Sequence, residues 1–206
     1  GVFWTSCAGG AQVKCEYELT CEKMQGIYYK VTVGGLQGGH SGAEIDKTRV
    51  NSVYAMTSLL FEAREQVEFS LLDFHGGLKD NAIPVQAKAV IVCPATTDEE
   101  VINQAVNRMQ AVFANEYATA DPDIKVTLTK EENARVKVPD AALTDKIICM
   151  LTCMPNGIQS MSMDIDGLVQ TSLNIGIVET HEDYFRMSFC VRSSVDSERE
   201  MLNRSI

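Results

Sequence analysis

The chain has little of what most metal sites, membrane spans and nucleic-acid surfaces are built from. Histidine occurs three times in 206 residues, tryptophan once, and aromatic residues make up 7%. Three scattered histidines do not assemble a two-metal centre, and a catalytic zinc ordinarily takes three protein ligands with one position left open. His181-Glu182-Asp183 spells His-x-Asp, but it falls in an expected hairpin turn with no further His–carboxylate group to join it. No apolar run approaches the roughly 20 residues of a transmembrane helix. Basic residues are outnumbered: Lys+Arg is 18 against 28 for Asp+Glu, a formal charge of −10. Such a surface repels phosphate backbones and no local basic patch offsets it, so neither nucleic acid nor membrane is expected as a partner. The seven cysteines (7, 15, 21, 93, 149, 153 and 190) are odd in number and form no Cys-x-x-Cys pair, which argues against a zinc knuckle or redox dithiol. They read as small, mostly buried hydrophobes in a reducing cytoplasm. Cys149 and Cys153, four apart, have the spacing of core neighbours on one helix face.

Hydrophobic residues make up 45% of the chain, enough for a substantial core in one large domain or two lobes that share it. Residues 1–5 read as the middle of a strand. With no initiator Met and a helical pattern cut at 203–206, they suggest an excised fragment. Strand patterns cover 14–20 and 26–33. A helix is expected over 48–64, its stripe Val50, Val53, Tyr54, Thr57, Leu60 and Phe61. A strand over 67–74 precedes a turn at His75-Gly76-Gly77, and another strand spans 83–93. Thr97 is the expected cap of a second helix, with Asp98, Glu99 and Glu100 suited to its dipole and a stripe of Val101, Ala105, Met109, Val112 and Phe113. Asp121-Pro122-Asp123 turns the chain into a strand over 124–129, and Glu131-Glu132 reads as solvated loop charge. Residues 26–130 thus run β-α-β-β-α-β, the ferredoxin-like split βαβ order. A helix over 141–154, a turn at Pro155-Asn156-Gly157, a hairpin of 169–179 with 184–193, and a helix from Asp196 follow. The expected class is α+β, with a ferredoxin-like lobe at 26–134. A second α-β-β-α lobe at 135–206, divided from it near 135–140, extends the antiparallel sheet.

The densest chemical signal is Gly34-Gly35-Leu36-Gln37-Gly38-Gly39-His40-Ser41-Gly42-Ala43-Glu44-Ile45, with five glycines and one histidine. Glycines permit positive φ and close backbone approach, and a strand-to-helix turn points N–H groups and partial positive charge at a ligand. Ser41 beside His40 forms no triad, because adjacent side chains rarely take that geometry. Three further polar residues suit an anionic or carbonyl-bearing ligand. They are Asn81 ahead of a strand, Asn174 inside an apolar strand, and Arg192, a guanidinium fork for a carboxylate.

The segment Gly35 to Ile45, followed by Asn51, resembles the aminoacyl-histidine dipeptidases of the co-catalytic zinc peptidase family. Six further blocks agree in order along nearly the whole chain: Ser6-Cys7-Ala8-Gly9-Gly10, Leu72-Asp73-Phe74, Asn81-Ala82-Ile83-Pro84, Pro155-Asn156-Gly157, Thr171-Ser172-Leu173-Asn174, and Arg192-Ser193-Ser194-Val195-Asp196-Ser197. The resemblance implies a lid domain, also a dimer contact in the wider family, inserted into a catalytic domain that carries the zinc ligands and the general base. His40 would then donate to the oxyanion of dipeptide hydrolysis, with Asn81 and Arg192 on the peptide's carboxylate end and Asn174 a lesser contributor; His75 is given no role. The chain alone is expected to hold no metal and to be inactive. Two other readings stay open from the residues themselves: a free-standing ferredoxin-like module that binds an amino acid, and a pure dimerisation domain.

Overall fold

The computed structural model describes residues 7–131 and 137–206. Their strands, in chain order, are β1 (Gly9–Glu18), β2 (Cys21–Lys23), β3 (Ile27–Gly34), β4 (Gly39–His40), β5 (Ser70–Gly76), β6 (Ala82–Ile83) and β7 (Ala87–Cys93), then β8 (Lys125–Glu131), β9 (Lys137–Pro139), β10 (Gly157–Met161), β11 (Val169–Thr180) and β12 (Tyr184–Ser193). Four helices accompany them: α1 (Ser52–Arg64), α2 (Glu99–Glu116), α3 (Ala141–Cys153) and α4 (Asp196–Ser205).

Strands of period two place alternate residues on opposite sheet faces. In β3 this puts Tyr29, Val31 and Val33 on one face and Tyr28 on the other. The first β-α-β-β-α-β unit closes as expected, in the spatial order β5-β7-β3-β8 with every pairing antiparallel. The β11–β12 hairpin then docks on β5, where Val178 faces Gly76 and Glu179 faces His75. β1 pairs with β12 along its whole length and β10 with β11, so one antiparallel sheet runs through the chain. A single apolar cluster spans the sheet from Tyr29 to Val191 and takes in residues of α1, α2 and α3, with Leu202 and Ile206 packed on it from the chain's last segment. The helices therefore share one side. On the opposite face the β2–β9 ribbon covers a small cluster of Tyr28, Leu72, Val92 and Val138. Beyond it the face is polar. One cross-strand row reads Glu16, Arg186, Glu179, His75 and Lys88, with Arg186 donating twice to Glu16 at 2.9 and 2.8 Å. Pairs of this kind contribute roughly 0.2–1 kcal/mol each.

Several local expectations need correction. α1 starts at Ser52, not 48, because Thr48 is left-handed (φ 51) and the Asn51 side chain caps the helix. Its buried set includes Met56 and Leu59, whereas Tyr54 and Phe61 are exposed. Asp98, not Thr97, caps α2 by accepting from the Glu100 N–H. His75 and Gly76 complete β5 rather than a turn, and the 83–93 strand is interrupted after Ile83. β1 begins at Gly9, and β10 follows the Pro155-Asn156-Gly157 turn where no strand is expected. Only Cys93 and Cys190 are buried; Cys7, Cys21, Cys149 and Cys153 are exposed and Cys15 half-buried. For α3 the reason is that Leu143, Ile147, Ile148 and Leu151 form the buried stripe and the two cysteines lie off it. Glu131 belongs to β8 and pairs with Lys30 at 2.9 Å. The expected strand at 1–5, Ser6, Glu132 and Arg135 of the lobe boundary lie outside the described residues.

Candidate functional site

The glycine-rich segment does not run straight into a helix. It leaves β3, passes through Gly35, Gly38 and Gly39 at positive φ (77°, 64° and 150°), and forms the two-residue strand β4, where His40 lies opposite Ala82 of β6. A short 3₁₀ turn (Ile45–Lys47) then precedes α1. The Asp121 carboxylate grips both ends of the segment. It is fully buried and accepts the N–H of Gln37 through one oxygen and that of Val50 through the other, each at 2.7 Å.

The expectation that the α1 N-terminus offers free N–H groups is not met. The Val53 and Tyr54 amides donate to the Asn51 side chain, the Ser52 amide to Pro84 O, and the Ala55 amide to Asn51 O. Charge recognition at this site must come from side chains.

His40 is exposed, yet its ring is fixed. The backbone amides of Gly42 and Ala43 donate to Nδ1 at 3.1 and 3.0 Å, so in the neutral imidazole the proton sits on Nε2. Nε2–H is thus a donor held at the tip of a tight loop. The His40 amide donates to Glu44 Oε2 at 2.9 Å, and the Glu44 amide returns a bond to His40 O at 3.0 Å. Lys47 and Arg49 flank the Glu44 carboxylate at 2.7 and 3.4 Å, and Arg49 also donates to Gly38 O. Lys47 first, and then the His40 amide, hold the Glu44 carboxyl down at about 2.

The other sequence-predicted residues gather around this loop. The Ser41 amide donates to Asn81 O at 3.0 Å, which sets Asn81 beside His40 with its side chain exposed. Arg192, near the end of β12, lies against Gly42, where a Cβ would come within 2.9 Å of its Nε. Its side chain is half-buried, Nε is shielded from solvent, and no acceptor meets it. The Ser41 hydroxyl is likewise buried without a partner. Buried polar atoms of this kind are rare, and each calls for an explanation.

Asn174 is placed differently. It is 1% exposed, and its Nδ2 donates to Asp80 O and Ala82 O at 2.8 and 2.9 Å. It holds the strand that carries β6. Asn156 Oδ1 accepts the Ile175 amide at 3.1 Å, and Asn51 Nδ2 donates to Ile175 O at 2.8 Å. These three asparagines tie α1, β6 and β11 together behind the loop.

Residues 27–121 match the family model described as peptidase dimerisation domain. The chain is 31% identical over 202 residues to the cytosol non-specific dipeptidase of Escherichia coli, covering 97% of the chain and 41% of that protein. It superposes on the crystal structure of aminoacylhistidine dipeptidase from Vibrio alginolyticus with a TM-score of 0.92 at 28% identity, over 97% of the chain and 41% of that structure. Residues 27–121 form a peptidase dimerisation domain. The chain spans about two-fifths of the length of both relatives.

Among the described residues, no three His, Cys, Asp or Glu side chains come together as a catalytic zinc requires. His75 meets Asp73 at 3.0 Å and His181 meets Glu179 at 3.4 Å. The donors among the described residues do not fit a co-catalytic zinc pair.

Sequence reading missed Glu44, Arg49 and Asp121, the groups that shape the loop; only the Asp-Pro-Asp turn hinted at the last. Glu44 supports a pH prediction. Its folded pKa lies below the ordinary carboxylate value, so its support of the loop is fully present above about pH 4.5 and is lost as pH falls through about 2. The His40 amide resonance should titrate with a midpoint near pH 2, and Glu44→Gln should abolish that step. A midpoint at the ordinary value would show that the Glu44 contacts do not persist in solution.

Proposed function

We propose that this dimerisation domain is the substrate-capping lid of a zinc-dependent dipeptidase that hydrolyses Xaa-His-type dipeptides. In this reading 26–134 and 135–206 are two lobes of one inserted domain, the enzyme is cytoplasmic, and homodimer contacts run through this chain. Zinc is held by a catalytic domain outside the chain, and no step below depends on it. His40 presents Nε2–H to the oxygen that gains negative charge as the peptide carbonyl is attacked. A donor aimed at that position stabilises the transition state by roughly 3–4 kcal/mol. The Arg192 guanidinium takes the dipeptide carboxylate, and Asn81, exposed beside His40, adds an amide contact. Asn174, with its amide hydrogens committed to Asp80 and Ala82, acts by positioning the turn that holds Asn81 and the strand β6 after it.

The observation that carries this reading is the convergence of a fixed-tautomer imidazole and a guanidinium whose buried Nε meets no acceptor on one glycine loop. A free-standing amino-acid module has use for the guanidinium but none for an Nε2–H donor held by two amides. A pure dimerisation domain has use for neither.

The test is Arg192→Ala in the full-length dipeptidase. A substrate carboxylate is bound alike in ground and transition states, so KM should rise by about 30-fold or more with kcat little changed. Substrates lacking that carboxylate should show no difference between variant and parent. An unchanged KM would remove Arg192 from the site.

A further inference from the structure

Helix α3 ends with two thiols turned away from the core. Leu143, Ile147, Ile148 and Leu151 are buried, while Cys149 and Cys153 are both exposed. Residues four apart on a helix stand one above the other with Cβ atoms roughly 5–6 Å apart, a span that two thiols can close. The neighbouring Cys153 thiol, ahead of any burial, raises the Cys149 pKa above the ordinary thiol value. The last turn of α3 carries no basic residue, so the partial negative charge of the helix C-terminus is unopposed there and favours a cation.

We propose that Cys149 and Cys153 form a two-thiol chelating site for a soft, thiophilic centre of the copper(I) or arsenic(III) class. Thiolates select such centres over hard ions. Two donors suffice for a two-coordinate soft ion, whereas structural zinc takes four. The Met150 and Met154 thioethers pack against the core, which leaves the two thiols as the donors. The remaining cysteines offer nothing comparable. Cys93 is buried, with its thiol pushed up to about 12 by that burial, Cys190 is buried too, and Cys15 is half-buried. Cys7 and Cys21 are exposed but lie on separate segments, not four apart on a helix.

Phenylarsine oxide is the probe. Each thiol gives its proton to the arsenic-bound oxygen, which leaves as water. Two As–S bonds replace the As–O bond, and arsenic stays trivalent. The reduced chain is treated with one equivalent of the arsenical in excess 2-mercaptoethanol, which strips adducts from single thiols, and intact mass is read. One retained arsenical per chain is expected. Cys149→Ser and Cys153→Ser should each lose it, with apparent affinity lower by about 100-fold or more once the second donor is gone. A Cys7→Ser/Cys21→Ser double variant should keep it. Absence of a retained adduct on the parent chain, or its survival in either single variant, would overturn the proposal.

Discussion

His40→Ala in the full-length dipeptidase should lower kcat by about 100-fold or more and leave KM for the dipeptide nearly unchanged. An oxyanion donor contributes only where charge develops, so its loss falls on the chemical step. Folding should be barely affected. The ring is exposed, and the Gly42 and Ala43 amides that it accepts lie at the surface, where water can replace Nδ1. His40→Gln, whose amide can donate from a similar reach, should recover part of the loss, whereas His40→Phe should not. Bound zinc, measured in each variant, should match the parent protein, because in the proposed reading the zinc ligands belong to a catalytic domain outside this chain. An exposed turn histidine without a catalytic role predicts the opposite: wild-type kcat in all three variants. That result would end the assignment of His40 and, with it, the strongest support for a lid that takes part in the chemistry.

Much of the fold was legible because hydrophobic period and turn chemistry agree along the chain. β3, β7, β11 and β12 carry continuous or alternating apolar residues bounded by Gly, Pro or Asp, and each appears close to where the pattern puts it. The two short ribbons were not legible. β2 is exposed throughout and three residues long, and its partner β9 is 114 or more residues away in sequence, from Lys23 to Lys137. β4 and β6 are two residues each and exist because Asn174 and Asp121 hold their flanks. At the site the glycine loop, His40 and Arg192 could be read as residue types, but their meeting could not. The closeness of Gly42 to Arg192 depends on how β12 lies within the sheet, a long-range relation that no local pattern encodes. The buried carboxylate of Asp121 looked like an ordinary turn residue, since a turn acid and a structural acid are spelled alike.

That carboxylate supports the largest stability prediction. Asp121 accepts the amides at both ends of the His40 segment, through a different oxygen at each end. Its side chain is fully shielded from water, and its bond to the Val50 amide is buried. Asp121→Ala therefore removes two charge-assisted hydrogen bonds and strands at least one buried N–H, at a cost of about 3 kcal/mol. In a chain of this size that corresponds to a fall in Tm of about 6–12 °C. Asp121→Asn keeps one carbonyl oxygen, so it should lose about half as much. The damage should also be local before it is global: amide exchange should accelerate at Gln37 and Val50, and at His40 between them, while Tyr29 and Val31 in the strand ahead of the loop keep their protection. A Tm within about 2 °C of the parent, or faster exchange spread evenly over the sheet, would mean that the loop is held by its glycines and by Glu44 rather than by the buried acid beneath it.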